Sequence, residues 1–366
     1  MRAVPTRTVA KRFQSLKTSI QTTDFKLSAS DVPANATIFS MVQPTGKFHL
    51  GNYLGAVRVW KDLCELKTNQ QLFFGVADLH AITIPKPNAA EFKQLRLEAI
   101  ASLLSIGIDP SKANVFCQSS IPQHAELNWI LSTFAPMGYL NRMTQWKSKS
   151  NIKESDEGNL DNTSNVKLGL FAYPVLQAAD ILLYKSTHVP VGEDQSQHLE
   201  LTRTLAENFN KMYQKRVFPL PKTMLAPTKK ILSLNNVAKK MSKSDPNQNG
   251  VIYLNDSPEE IAKKVKKAVT DSISESFYYD PVNRPGVSNL INMISGTQRK
   301  SISEVEQDVA QYTNHKDFKN YVTEVLVAEL KEPRLKYDDL IQDLSYLEKI
   351  QQEGAENASQ LAEQPL

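Results

Sequence analysis

The chain has 366 residues, 41% of them hydrophobic and 22% charged, enough for two domains with sizeable cores and unlike a disordered or fibrous protein. No apolar run approaches the ~20 residues of a membrane-spanning helix, and the most apolar segment, Tyr173 to Tyr184, is broken by Gln177 and Asp180, so a soluble protein is expected. The net charge of +4 is more than accounted for by Arg2, Arg7, Lys11, Arg12 and Lys17, while Cys64 and Cys117 lack the spacing of a structural metal site and give a disulfide framework no support.

Those five cations lie in a Ser/Thr-rich stretch with no acidic residue before Asp24, the composition of a mitochondrial targeting peptide; a plain basic tail is the alternative. Without them the chain is near neutral, so an RNA-binding surface has to be a local basic patch. Thr37 to Val42 reads as a buried strand, followed by a Gln-Pro-Thr-Gly turn and an apolar-periodic helix from about His49 to Leu66. Leu72 to Val76 reads as a second strand, Glu91 to Leu104 as a helix and Val115 to Cys117 as a third strand. Lys147 to Asn165 is polar and aperiodic, a surface loop. Tyr173 to Tyr184 is helical in pattern, and Val189 to Val191 is a further short strand. This alternation predicts a doubly wound, parallel, Rossmann-like α/β sheet. Ligands of such sheets sit at the carboxyl ends of the strands, where Gln43, Asp78, His80 and Gly192 to Gln195 fall.

Beyond Tyr253 the pattern turns helical. Ser257, Pro258 and Glu260 form a capping box and first turn for a helix reaching about Val269. Ile261, Val265, Ala268 and Val269 are expected inside, with Lys263, Lys264, Lys266 and Lys267 crowding the solvent face. Phe318 to Leu330 is also helical. Residues beyond about Lys331 carry no legible motif, and no internal repeat is found.

Two separated stretches, Pro44 to Asn52 and Lys240 to Ser244, together resemble the paired ATP-binding signatures of class I aminoacyl-tRNA synthetases. The residue types suit that chemistry. A helix beginning near His49 turns its amino end toward an anion, Gly51 has no side chain to exclude a nucleotide, and His49 and Asn52 share one face and can donate to phosphate oxygens. His49 as a helix cap and Gly51 as a packing glycine is the plainer alternative. The Lys240 to Asn247 segment reads as a mobile polar loop that can close over ATP, placing Lys240 and Lys243 on the phosphates as charge builds on the leaving pyrophosphate. A basic surface loop is the alternative there. In the Tyr173 to Tyr184 helix, Tyr173, Gln177, Asp180 and Tyr184 share a face; burying Asp180 requires a donor, either a nearby Lys or Arg or the N–H of an indole.

From about Ile38 to Pro285 the sequence closely resembles tryptophanyl-tRNA synthetases. Carrying this are Gln43-Pro44-Thr45-Gly46, His49-Leu50-Gly51-Asn52-Tyr53-Leu54-Gly55-Ala56, Asp78-Leu79-His80-Ala81-Ile82-Thr83, Ala178-Ala179-Asp180-Ile181-Leu182, Gly192-Glu193-Asp194-Gln195 and the lysine loop. Asn52 departs from the final His of the general class I motif but matches the tryptophanyl branch, and Gln177 stands where many bacterial members carry Met. The resemblance implies that Asp180 accepts the indole N–H, with Phe39, His80, Tyr173, Gln177, Val189 and Gln195 completing the tryptophan pocket. It implies ATP contacts from Gln43, His49, Leu50, Gly51, Asn52, Gly192, Glu193, Asp194, Ile231, Lys240, Met241, Ser242, Lys243 and Ser244, with Lys149 joining Lys240, Lys243, His49 and Asn52 in catalysis. ATP is expected to carry Mg²⁺ on its phosphates, with no protein-bound metal. It implies a tryptophan-tRNA ligase of the mitochondrial matrix, a homodimer whose partners are L-tryptophan, ATP and tRNA(Trp), with no membrane partner and the Lys263 to Lys267 face on tRNA phosphates. The expected division is a leader and linker over 1–34, a catalytic domain with inserted tryptophan-pocket and dimer region over 35–235, the lysine loop and a helical anticodon-binding region over 236–340, and a terminal helix or tail over 341–366. A tyrosine-specific synthetase and a non-catalytic RNA-binding descendant are the rival readings.

Overall fold

In a computed structural model, the described residues are 19–21, 27, 31–44, 46–66, 70–149, 166–225, 230–243 and 245–365. Six parallel strands form one sheet: β1 (Ser19–Gln21), β2 (Thr37–Val42), β3 (Gln71–Val76), β4 (Asn114–Cys117), β5 (His188–Val191) and β6 (Lys222–Leu225), in the order β1-β6-β5-β2-β3-β4. The expected α/β sheet is therefore present, larger by β1 and β6, neither of which the sequence pattern revealed. β1 pairs with β6 from Ser19 opposite Thr223 to Gln21 opposite Leu225. It falls within the stretch expected as leader and linker, where Leu27 and Val32 are also buried.

Alternation along the strands builds a core on each face of the sheet. Ile38, Leu72, Phe74 and Val115 enter one core, and Phe39, Phe73, Phe116 and Val189 the other. Helices cover both faces. On the amino-terminal side these are α1 (Leu50–Asn52), α2 (Arg58–Leu66), α3 (Asp78–Ala81), α4 (Ala89–Ile106), α5 (Gln123–Ser132), α6 (Met137–Asn141), α7 (Thr144–Lys149), α8 (Leu168–Leu183) and α9 (Ser196–Met212). The expected helix from His49 to Leu66 is continuous but contains a wide π-type turn, Tyr53–Val57, between α1 and α2. α7 covers the start of the expected Lys147 to Asn165 loop, because Trp146 is buried and donates its indole N–H to Leu140 O at 2.9 Å. Residues 150–165 lie outside the described residues.

The rest is helical: α10 (Pro258–Lys266), α11 (Pro285–Gln298), α12 (Ile302–Val309), α13 (His315–Leu340) and α14 (Leu344–Ala362). α10 opens with the expected capping box between Ser257 and Glu260. Two expectations on this helix fail. Val269 is exposed, because the helix ends at Lys267 and Val269 N instead donates to Leu234 O. Lys264 turns back to pair with the largely buried Asp256 carboxylate, leaving Lys263, Lys266 and Lys267 on the solvent face. α14 lies along β4, the far edge of the sheet, and Gly354 is what permits it. A Cβ there would sit 2.0 Å from Val115 O.

Candidate active site

Strand order reverses direction between β2 and β5, which places the carboxyl ends of those strands on either side of a crevice. Past β2 comes the first signature, with Gln43 half-buried just beyond the strand. His49 is buried and caps α1: its Nδ1 accepts from Asn52 N, while Asn52 Oδ1 accepts from His49 N, both at 3.3 Å. The capping alternative is thus realised, and it leaves Nε2 of His49 and the amide NH₂ of Asn52 outside the cap. The expected set of amino-end N–H groups facing an anion is smaller than the sequence suggested, since Leu50 N donates to Ile252 O at 2.8 Å and Asn52 N to His49. Burial, then Lys243 and Lys240, lowers His49 to about 3, so its ring is neutral at physiological pH.

The lysine loop meets this signature. A Cβ on Gly51 would contact the His49 ring and, at 3.8 Å, Ile231 Cβ. Ile231 in turn accepts from Met241 N at 3.0 Å, and both side chains are buried. Lys243 Nζ donates to Gly46 O at 3.0 Å and lies 5.2 Å from the centre of the Phe48 ring. Burial depresses its pKa to about 7. Within the loop expected to be mobile, Met241 enters the core and Asp245 accepts from Ser233 Oγ at 3.1 Å. Lys240 stays exposed, 3.8 Å from Asp194. Ser244 and the side chains of Lys149 and Glu193 lie outside what is described.

Deeper, Asp180 is held on α8 with almost no exposure. Among the described residues its partners are neither Lys nor Arg. His80 Nε2 lies 2.7 Å from Oδ2, Gln118 Nε2 donates to Oδ1 at 2.7 Å, and His124 Nδ1 lies 2.7 Å from Oδ1. Burial pushes this carboxyl up, but His80 and His124 outweigh it and hold the group down at about 2. Phe39 stacks on Tyr184 at 5.4 Å between centroids, and Val189 is buried beside them in the same core.

A second polar chain joins this pocket to the lysine loop. Tyr173 OH donates to Gln145 Oε1 at 3.1 Å and lies 3.3 Å from His198 Nε2; Gln145 in turn donates to Asp194 O. Gln195 Oε1 accepts from Gln177 Nε2 at 3.2 Å and faces His198 Nδ1 at 3.0 Å, while Gln195 Nε2 donates to Asp194 Oδ2 at 2.9 Å. A Cβ at Gly192 would strike that same Asp194 carboxylate. The expected residues Tyr173, Gln177, Gly192, Asp194 and Gln195 therefore converge. Gln118, His124, Gln145 and His198 were missed; only Gln118, immediately past β4 at a strand's carboxyl end, carried a positional signal.

This fold and its two joined ATP signatures define a class I synthetase, and residues 33–331 match the family model described as tRNA synthetases class I (W and Y). The mitochondrial tryptophan–tRNA ligase of Saccharomyces cerevisiae is 62% identical over 97% of this chain and 94% of its own length, and that of Schizosaccharomyces pombe 42% identical over 88% and 91%. The tryptophanyl-tRNA synthetase of Campylobacter jejuni, solved with ADP and tryptophan, superposes with a TM-score of 0.70 at 33% identity, covering 90% of this chain and 97% of that one. The chain belongs to the tryptophan–tRNA ligases of class I.

Proposed function

We propose that the chain activates L-tryptophan with ATP to tryptophanyl-adenylate and pyrophosphate, then transfers the tryptophanyl group to the 3′-terminal ribose of tRNA(Trp) in the mitochondrial matrix. The observation that carries this reading is the buried Asp180 carboxylate, an acceptor whose partner His80 meets Tyr173 edge-on, where a polar chain through Gln145 and Asp194 starts toward the lysine loop. The indole N–H donates to Asp180, with Phe39, His80, Tyr173, Gln177, Val189 and Gln195 around it. Across the crevice, Gln43, Leu50, Gly51, Asn52, Gly192, Glu193, Asp194, Ile231, Met241, Ser242 and Ser244 hold ATP, which brings its own Mg²⁺.

In the first step the tryptophan carboxylate attacks the α-phosphorus and pyrophosphate leaves. Neutral His49 donates from Nε2 and Asn52 from its amide, while Lys240, Lys243 and Lys149 stabilise the departing charge. Lys263, Lys266 and Lys267 supply a tRNA-phosphate face. A homodimer accounts for Trp129 within α5 and Leu168 at the start of α8, each 75% exposed, and for the exposed Met137 of α6; α5 and α6 both pack on α8.

The test is amino-acid-dependent ATP–pyrophosphate exchange across all the standard amino acids without tRNA. Exchange with tryptophan alone supports the reading; exchange with tyrosine, or none from folded protein, overturns it. Sedimentation of the chain and of Trp129→Asp tests the dimer, which predicts association in the former and its loss in the latter.

A further inference from the structure

Asp180 is bonded on one oxygen more firmly than on the other, and the residues responsible lie far from it in sequence. Gln118 leaves the end of β4 fully buried. Its Oε1 accepts from Leu79 N at 3.1 Å and His80 N at 3.4 Å, the N–H groups that open α3. Two backbone donors on the carbonyl oxygen settle which way the amide faces, since flipping it would set NH₂ against N–H and oxygen against carboxylate. Nε2 is therefore committed to Asp180 Oδ1.

His124, on α5 and likewise without exposure, is fixed by similar logic. Its Nε2 lies 2.9 Å from Tyr184 OH. Burial and the Asp180 carboxylate push the Tyr184 phenol well above its usual range, so the hydroxyl keeps its proton and stays a hydrogen-bond partner that holds the Nε2 edge of the ring. Nδ1 lies 2.7 Å from Oδ1 of Asp180, and since an ionised carboxylate oxygen only accepts, Nδ1 carries a proton and directs it there. Oδ1 thus receives two committed donors, and only Oδ2, facing His80, has capacity left for a ligand.

We infer that Gln118 and His124 are positioning residues that lock Asp180 as a pure hydrogen-bond acceptor presenting Oδ2, and that this lock sets how strongly the pocket prefers a ring bearing an N–H over an isosteric ring without one. The inference rests on the tryptophan pocket proposed above. The final torsion of an aspartate is soft and roughly two-fold. With Oδ1 released, the carboxylate can turn, or take a proton and become a donor, and either change gives an N–H no special advantage. A site built to pair a buried acceptor rejects an analogue lacking the donor because that acceptor is left empty; rejection fades once the acceptor can satisfy itself otherwise.

The experiment compares kcat/KM in ATP–pyrophosphate exchange for tryptophan and for 3-benzothienyl-alanine, which has sulfur in place of the N–H, in the full chain and in the Gln118→Met, Tyr184→Phe and Asp180→Asn variants. Gln118→Met is expected to lower the tryptophan preference by roughly tenfold or more, with KM for ATP unchanged. Tyr184→Phe, which loses one hydroxyl and keeps its ring packing, should lower the preference less and carries the test if Gln118→Met does not fold. Asp180→Asn separates the two levels. If it leaves the preference intact, the pocket reading fails; if it collapses the preference while Gln118→Met and Tyr184→Phe keep the wild-type ratio, the lock is refuted and the pocket stands.

Discussion

Lys243 ties ATP binding to pH in a way that its neighbours make calculable. Its ammonium has Gly46 O as a hydrogen-bond partner at 3.0 Å and the Phe48 ring nearby, and burial lowers its pKa from the ordinary 10.5 to about 7. A triphosphate laid against Nζ favours the charged form, so the pKa returns toward 10.5 and binding takes up a proton. Affinity should be at full strength below about pH 7 and decline as pH rises through that value. If only the charged amine holds the phosphates, about one lysine in ten is competent at pH 8, and the apparent Kd for ATP rises roughly tenfold per pH unit until the bound-state pKa is reached. Calorimetric titration with a non-hydrolysable ATP analogue and saturating Mg²⁺, from pH 7 to 9 in buffers of different ionisation enthalpy, measures both the slope and the proton uptake. Lys243→Arg keeps a charge at every pH in this range and should abolish the slope. A flat affinity in the wild-type chain, or a slope that survives in Lys243→Arg, refutes the argument.

Three further outcomes are expected. Asp180→Asn keeps an oxygen for Gln118 and His124 but turns an NH₂ toward the ligand edge, so KM for tryptophan should rise about 10- to 100-fold in pyrophosphate exchange while KM for ATP holds. Replacing Lys263, Lys266 and Lys267 by Gln should weaken tRNA binding and flatten its salt dependence by about one unit of slope for each phosphate no longer neutralised, whereas Lys264→Gln should instead lower the melting temperature, because Lys264 pairs with Asp256. Gly354→Ala should destabilise the chain by about 1–3 kcal/mol in denaturant unfolding, since the added methyl meets the backbone of β4 and α14 must shift.

What could be read from the sequence follows from the range of each interaction. β2 and β3 were legible because both are buried on both faces and their apolar runs are local facts. β6 was not, since its four residues begin with a lysine after two prolines in the preceding three positions, and β1 was not, since a basic, Ser/Thr-rich stretch gives no strand pattern. β6 is a strand because the open side of β5 needs backbone partners, and β1 because the open side of β6 then does, requirements that exist only once the sheet does. The site divides in the same way. His49, Gly51 and Asn52 sit within four residues of one another and announce themselves by spacing. Gln118 and His124 reach Asp180 across 62 and 56 positions and have no local signature. Periodicity likewise set the lysines of α10 on one side of the helix but not the reach of each side chain, and Lys264 uses its length to return to Asp256. A spacing rule finds groups that act from one element. Asp180 is an acceptor because four elements, α3, β4, α5 and α8, meet around it, and the donors that hold it there become visible only when those elements are packed.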